Sequence, residues 1–189
     1  GYADNNFALA RYDLDGNPDV SFSDDGEVTT NFGGTDRGRA LVRQGDGKLV
    51  VAGTVDLGGN INFGVARYTT AGVLDGTFDG DGMVTTDFAG SADNATAVTM
   101  GPGGSIVVSG YTFTASGNNL ALVRYTSNGA LDGSFGAGGK VTADYSGMSE
   151  YGRALISVSD DRLFVVGDML TVAGSDFLVA RFNSDGSLD

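Results

Sequence analysis

The sequence lacks three residue types on which much protein chemistry depends: cysteine, histidine and tryptophan. Without cysteine the chain forms no disulfide and no thiolate metal site. Without histidine it has no Ser-His-Asp or Cys-His catalytic arrangement and no histidine-bound zinc. The missing tryptophan leaves only tyrosine and phenylalanine to stack against sugars, which weakens a lectin interpretation. We therefore expect a protein that is not an enzyme.

Basic residues are also scarce. Lysine occurs only at positions 48 and 140, and the formal net charge is −13. Nucleic-acid binding needs a basic stripe that displaces counterions, so a nucleic-acid partner is excluded, and an anionic membrane surface is disfavoured for the same reason. No apolar run approaches the roughly 20 residues that span a bilayer. We expect no membrane insertion.

Glycine and aspartate dominate what is present. The chain contains 32 glycines against 2 prolines, and its acidic residues are almost all aspartates. Both residue types favour tight turns and are poor in helix interiors. The composition therefore predicts short strands joined by many turns, and no window shows useful helical periodicity.

Self-similarity organises the whole chain. The motif FALARY (7–12) returns as FGVARY (63–68), LALVRY (120–125) and FLVARF (177–182), and the arginines are spaced by 56, 57 and 57 residues. Segments related to EVTTNF, RALVR and KLVVAG also return in the same order. Each unit therefore offers four candidate strands: V-T-T-x-F, the segment around R-A-L, a continuous apolar run, and the alternating FALARY strand.

Four short strands in about 57 residues predict an all-β, β-propeller-type repeat. A β-solenoid is the alternative, although its rungs usually need fewer residues. We treat 1–189 as a single repeat region, with a spare strand and its connection at 1–26 and four-stranded antiparallel blades at 27–82, 83–139 and 140–189. Closed propellers have about 4–8 blades, so three blades predict a part of a larger or oligomeric propeller.

The repeat also resembles a known family. The segments ARYTTAGVLDGTFDGDGMVTTDF, VRYTSNGALDGSFGAGGKVTADY and ARFNSDGSLD resemble the delta-60 repeat, although Pro18 replaces its usual leucine and SFSDDG (21–26) replaces its SFG. The resemblance covers the whole chain. It implies tandem β-propeller units of secreted or cell-surface bacterial proteins, with a role in surface architecture, adhesion or display. The family has no catalytic residue to carry over.

Every unit places an aspartate eight residues after the arginine that ends its FALARY strand. The pairs are Arg11 with Asp19, Arg67 with Asp75, Arg124 with Asp132 and Arg181 with Asp189. A planar guanidinium can meet a carboxylate bidentately, so we predict that each pair fastens the connection between blades to its strand. A polar substrate site repeated around the ring is the functional alternative. The phenylalanines that follow, Phe22, Phe78 and Phe135, are expected to be core anchors.

The first unit alone adds alternating oxygen side chains around Gly16, namely Asp13, Asp15, Asn17 and Asp19. Such spacing resembles the start of a calcium loop. Only Asp19 of the four returns in every unit, and the position that should hold a bidentate glutamate is Asp24. Bound calcium would therefore belong to this copy and would not build the fold. We expect no other cofactor.

Further features bear on partners. The acids Asp36, Asp93 and Glu150 recur before the R-A-L strand, where turn formation is the simpler interpretation. The connections at 54–62, 111–119 and 168–176 vary most between units, and we expect a protein or surface-glycan partner there. The spare FALARY strand predicts pairing with a neighbouring chain, and so a homo-oligomer.

The predicted function is a structural or adhesive module of an extracellular or bacterial cell-surface protein, acting through protein or surface contact. A calcium- or carbohydrate-binding module is the alternative. A polysaccharide-degrading hydrolase is a remote one, since the carboxylates Asp79 and Asp81 lie in a glycine-rich turn without apolar neighbours.

Overall fold

A computed structural model describes residues 1–3, 5–88, 92–145 and 147–189. These residues form short strands and one 3-10 turn at Pro102–Gly104. The strands are β1 (Tyr2–Ala3), β2 (Asn6–Ala10), β3 (Glu27–Thr30), β4 (Thr35–Arg43), β5 (Leu49–Leu57), β6 (Asn60–Tyr68), β7 (Met83–Thr86), β8 (Asp93–Met100), β9 (Ile106–Thr114), β10 (Gly117–Tyr125), β11 (Lys140–Ala143), β12 (Glu150–Ser157), β13 (Leu163–Thr171) and β14 (Gly174–Phe182). None of the described segments is a helix long and apolar enough to cross a membrane.

The strands form four antiparallel sheets, each a meander of chain neighbours. The first sheet contains β1, β2 and β3; the second β4, β5, β6 and β7; the third β8, β9, β10 and β11; and the fourth β12, β13 and β14. The prediction of an all-β, propeller-type repeat is confirmed.

The blade boundaries differ from those predicted. The V-T-T strands β3, β7 and β11 were expected to open new blades, but each closes the sheet before it, so we call them the closing strands. The cause is local, because the loop after β6 folds back until the Arg67 N–H donates to the Gly82 carbonyl at 2.9 Å. FALARY is therefore the middle strand of the first sheet and not a spare strand. The described chain holds two four-stranded and two three-stranded sheets.

The connections between the third and fourth strand of each repeat, which were expected to be variable surface loops, consist mostly of residues paired within strands. Thr54 pairs with Phe63 and Leu57 pairs with Asn60, so that only Gly58 and Gly59 join β5 to β6. Both glycines have positive φ angles, 71° and 97°, which suits such a tight hairpin. The loops predicted at 54–62, 111–119 and 168–176 are thus two-residue turns between long strands.

The core lies between successive sheets, which pack face to face. Three apolar layers join first to second, second to third, and third to fourth sheet. Their fully buried members include Phe7 and Val55 in the first layer, Phe63 and Val108 in the second, and Leu120 and Val165 in the third. The continuous apolar run of β5 is covered on both faces, as its sequence predicts, because Val50 and Val51 point to different layers.

One edge of each sheet converges on its neighbours. The strands β4, β8 and β12, which we call the inner strands, contact one another in succession. Each carries a β-bulge, and the residues left out of the pairing are Arg39, Thr96 and Arg153. These residues occupy one repeat position, so the bulge is part of the unit and re-aims the same side chain each time.

Candidate functional site

The structure brings each of the four Arg–Asp pairs together. The distances from arginine Nε to aspartate Oδ2 are 2.8 Å for Arg11–Asp19, 2.8 Å for Arg67–Asp75, 2.7 Å for Arg124–Asp132 and 2.6 Å for Arg181–Asp189. The aspartate of each pair lies in one of the segments 11–26, 69–82, 126–139 and 183–189, which we call the long loops. The arginines at 67, 124 and 181 lie near the end of the strand before the loop, and Arg11 directly follows β2.

The contact is made through one nitrogen, so the expected bidentate geometry is wrong. In the second long loop the Arg67 Nη2 donates to the Thr77 hydroxyl at 2.9 Å instead of to Asp75. Asp75 uses its other oxygen, Oδ1, to accept the Thr77 hydroxyl at 2.7 Å and the Thr77 N–H at 3.1 Å. The Thr77 hydroxyl therefore bridges the pair, because it accepts a hydrogen bond from Arg67 and donates one to Asp75. Ser21 and Ser134 do the same in the first and third loops.

Each arginine also covers a phenylalanine ring. The guanidinium carbon lies 4.7 to 4.8 Å from the ring centroid in Arg11–Phe22, Arg67–Phe78 and Arg124–Phe135. All three rings are fully buried, as the sequence predicts. Since Arg67 is desolvated over its ring, the cation–π contact adds to the ion pair.

The long loops are bonded in series. Nη1 of Arg11 donates to the Thr70 carbonyl at 2.6 Å, Nη1 of Arg67 to the Ser127 carbonyl at 2.5 Å, and Nη1 of Arg124 to the Ser184 carbonyl. A backbone bond runs beside each contact, for example from the Asp79 N–H to the Asn128 carbonyl at 2.8 Å. The arginine therefore joins its own loop to the next loop along the chain.

Close approach of the backbone explains the recurring glycine. A Cβ added to Gly129 would lie 3.1 Å from the Phe78 ring and 2.7 Å from the Asp79 nitrogen. Its φ angle of 96° also disfavours any other residue. Gly72 and Gly186 meet Phe22 and Phe135 in the same way, whereas Gly16, which no preceding loop faces, meets nothing.

The four Arg–Asp pairs differ in how deeply they are buried. The side chains of Arg67 and Asp75 are only 5% and 6% exposed, against 44% and 26% for Arg181 and Asp189. Lys48 adds a second cation to Asp75, with its Nζ 2.8 Å from Oδ2. Burial acts to raise the pKa of Asp75, but hydrogen bonds from Lys48 and Thr77 and the charge of Arg67 outweigh it and hold the pKa well below its usual range. Sequence comparison missed Lys48, because no other unit has a lysine there.

The predicted calcium residues form an Asx-type turn. The Asp13 Oδ1 accepts the N–H groups of Asp15 and Asn17, each at 2.9 Å, and these bonds help to lower its pKa, the bond from Asn17 most. Asp19 is held by Arg11 and Ser21. Over residues 1–3, 5–88, 92–145 and 147–189, no cluster of three or more acidic side chains could hold a metal ion.

The acids Asp36, Asp93 and Glu150 were interpreted as turn-forming residues, but they are fully buried and lie within the strands β4, β8 and β12. They begin the inner strands or lie next to their start. Asp36 Oδ2 accepts the Phe32 N–H and Asp93 Oδ2 accepts the Phe88 N–H, each at 2.7 Å. Burial raises the pKa of both aspartates, and these hydrogen bonds only partly oppose it. These two hydrogen bonds hold the backbone just after the closing strands β3 and β7.

A hydrogen bond between sheets was also missed. The Tyr68 hydroxyl donates to Thr30 Oγ1 at 2.7 Å, and the Tyr125 hydroxyl lies 2.6 Å from Thr86 Oγ1. Burial raises the pKa of Tyr68 to about 12. Between the fourth sheet and the closing strand of the third, the equivalent residues are Phe182 and Ala143, so both partners lack the hydroxyl. That matched change is the sequence signal that could have revealed the contact.

These features together define a repeat β-propeller: stacked antiparallel sheets, converging inner strands and loops bonded in series. The family model described as a domain of unknown function, DUF5122 β-propeller, matches residues 1–22, 44–78, 102–135 and 159–189. These segments make up more than half of the chain, so the chain belongs to that family. They contain all four Arg–Asp pairs.

A solved structure shows the same fold. It is the crystal structure of a protein of unknown function from Bacteroides caccae, with a TM-score of 0.56 and 10% sequence identity. The match covers 96% of this chain and 52% of that chain, so this chain spans about half the length of the protein it resembles. None of the curated proteins matches it.

Proposed function

We propose that the chain is a non-enzymatic structural module that associates through the open face of its fourth sheet with the first sheet of a second copy. One observation carries this proposal. Phe177 is 97% and Val179 67% exposed on β14, whereas Phe63 and Val65, at the same repeat positions in the second sheet, are fully buried. Leu120 and Leu122 in the third sheet are fully buried as well. An apolar face of this kind marks an interaction surface.

The first sheet offers the complementary face. Tyr12 is 57% exposed, while its equivalents Tyr68 and Tyr125 are fully buried against the preceding sheet. Ala10 is exposed, and its equivalent Ala66 is buried. The face of a sheet that carries the Tyr12 position thus packs against the preceding sheet. The face that carries the Phe177 position packs against the following sheet. A head-to-tail contact would repeat the packing already present between the sheets.

The resemblance to the delta-60 repeat supports a finer statement. On that basis we propose that the parent protein acts outside the cell or on the bacterial surface, in architecture or adhesion. The Arg–Asp pairs support a structural role because, at Arg67, each of the three guanidinium nitrogens donates a hydrogen bond to a group within the protein.

Sedimentation velocity over a range of chain concentrations tests the association. We expect the wild-type chain to self-associate and Phe177→Asp to shift it to monomer, because a carboxylate would be buried in the apolar contact. Tyr12→Asp should weaken association from the other side. Val73→Asp is the matched control, since Val73 is 61% exposed in the second long loop, away from both faces.

Two results would contradict the proposal. One is a wild-type chain that stays monomeric at every concentration. The other is a Phe177→Asp variant that associates as strongly as Val73→Asp.

A further inference from the structure

A cavity lies where the inner strands of three sheets meet. Its volume is about 300 Å³, and its wall includes Arg39 from β4, Thr54 from β5, Asn94 from β8, Tyr111 from β9 and Arg153 from β12. Arg39 and Arg153 are the bulged residues of their strands. The fold therefore brings two arginines, one from the second sheet and one from the fourth, to one cavity.

The charge of this wall is opposite to that of the chain. The net charge is −13, yet the described residues that line the cavity include two arginines and no carboxylate. Arg39 makes no ion pair with any residue that the structure describes. Arg153 is paired at the rim with Asp168, at 2.7 Å from Nε and 3.3 Å from Nη2. This pair is largely solvated, with side chains 52% and 36% exposed.

Neutral donors complete the wall. Thr54 is 9% exposed, and its buried Oγ1 has no hydrogen-bond partner among the described residues. Asn94 adds an amide. Tyr111 is held edge-on against Tyr151, with ring centroids 4.9 Å apart, so its position is fixed before any ligand arrives.

We propose that this cavity binds a small oxyanion, the carboxylate or phosphate group of a low-molecular-weight ligand. Guanidinium groups can donate two parallel hydrogen bonds to a pair of oxygens in a carboxylate or a phosphate, and a hydroxyl and an amide provide further donors. The cavity would hold the charged group and a few atoms beyond it. The site is distinct from the long loops, whose arginines pair with the aspartates of those loops, and it does not depend on association through the fourth sheet.

Isothermal titration calorimetry on the whole chain tests the site, with inorganic phosphate and D-glucuronate as separate probes and glucose as the neutral control. We expect at least one anion to bind, with an affinity that falls as salt is added. Arg39→Ala and Arg153→Ala should each weaken binding about tenfold or more. The stronger of the two anions identifies phosphate or sugar carboxylate as the source of the charge.

Two variants sharpen the result. Asp168→Asn should tighten anion binding several-fold, because Arg153 loses its competing carboxylate; a purely structural role of Arg153 predicts no such gain. Arg43→Ala, an exposed arginine of the same strand outside the cavity, should leave the affinity unchanged. The proposal is overturned if neither anion binds, if glucose binds as well as glucuronate, or if Arg43→Ala weakens binding as much as Arg39→Ala.

Discussion

At the scale of single residues, the repeated Arg–Asp pairs contribute unequally to the free energy of unfolding. The Arg–Asp pair occurs four times, and the hydroxyl and the buried phenylalanine occur with three of the pairs; the arginine side chain is 5% exposed at Arg67 and 44% at Arg181. Exposed ion pairs contribute about 0–1 kcal/mol, whereas removal of one partner from a buried pair costs about 3–5 kcal/mol. The same ion pair therefore stabilises the protein to different degrees.

Truncation of the arginines tests this gradient. We expect Arg67→Ala to lower the free energy of unfolding by about 3–5 kcal/mol, because it leaves the buried Asp75 with only Lys48 and exposes the Phe78 ring. Arg181→Ala serves as the control and should cost at most about 1 kcal/mol. Urea unfolding followed by circular dichroism measures both. An equal loss of unfolding free energy in the two variants would show that burial does not determine how much the pair contributes to stability.

At the scale of elements, the sheets are joined by more than apolar packing. Tyr125 and Thr86 form a buried hydrogen bond between the third sheet and the closing strand of the second. The equivalent pair between the fourth sheet and the closing strand of the third, Phe182 and Ala143, has neither hydroxyl, and both residues belong to the third apolar layer. Because a lone buried hydroxyl is costly, the two positions change together.

A double-mutant cycle tests that coupling. Tyr125→Phe should cost about 1–3 kcal/mol of unfolding free energy, since it leaves the buried Thr86 hydroxyl unsatisfied. The double variant Tyr125→Phe with Thr86→Ala should cost less than the sum of the single changes, because it recreates the natural Phe182–Ala143 pair. Tyr12→Phe, at an exposed equivalent position, should lie within about 0.5 kcal/mol of the wild type. Additive single changes would disprove the coupling.

At the scale of the whole molecule, two groups of aspartates have pKa values shifted in opposite directions. Those of the long loops, such as Asp75 and Asp132, have lowered pKa values, while the buried Asp36 and Asp93 have raised ones. A lowered pKa gives stability that is present above the ordinary value and lost as the pH falls. A raised pKa gives stability that is present below the ordinary value and lost as the pH rises.

The long loops therefore make the stack sensitive to acid. We expect Asp75→Asn to be less stable than the wild type at pH 7, by about 3 kcal/mol, and the difference to narrow as the pH falls below about 4, where Asp75 becomes protonated in the unfolded chain. Asp24→Asn, which makes the same change of charge at an exposed loop position, should show no such convergence. Urea unfolding between about pH 2.5 and pH 7 measures both. A constant difference for Asp75→Asn would refute the assignment.

Most of the architecture could be predicted, because it depends on periodicity. The alternation in FALARY, the apolar run of β5 and the glycine-rich turns specify strands, and the 57-residue spacing specifies a repeated unit. The blade boundary could not be predicted. Whether V-T-T pairs with the strand before or after it depends on the fold-back of a 14-residue loop at 69–82, and strand periodicity is the same in both arrangements.

The sequence by itself determined the unit: which residues recur, that Arg67 and Asp75 belong together, and that Phe78 is a core residue. Recurrence reveals what the unit needs, since every copy must satisfy the same local contacts. Only the tertiary structure decided how much each Arg–Asp pair contributes to stability and which repeats line a common cavity. Arg39 and Arg153 lie 114 residues apart and line one cavity because three sheets converge there. Burial and convergence are properties of the stacked sheets, and no single repeat contains them.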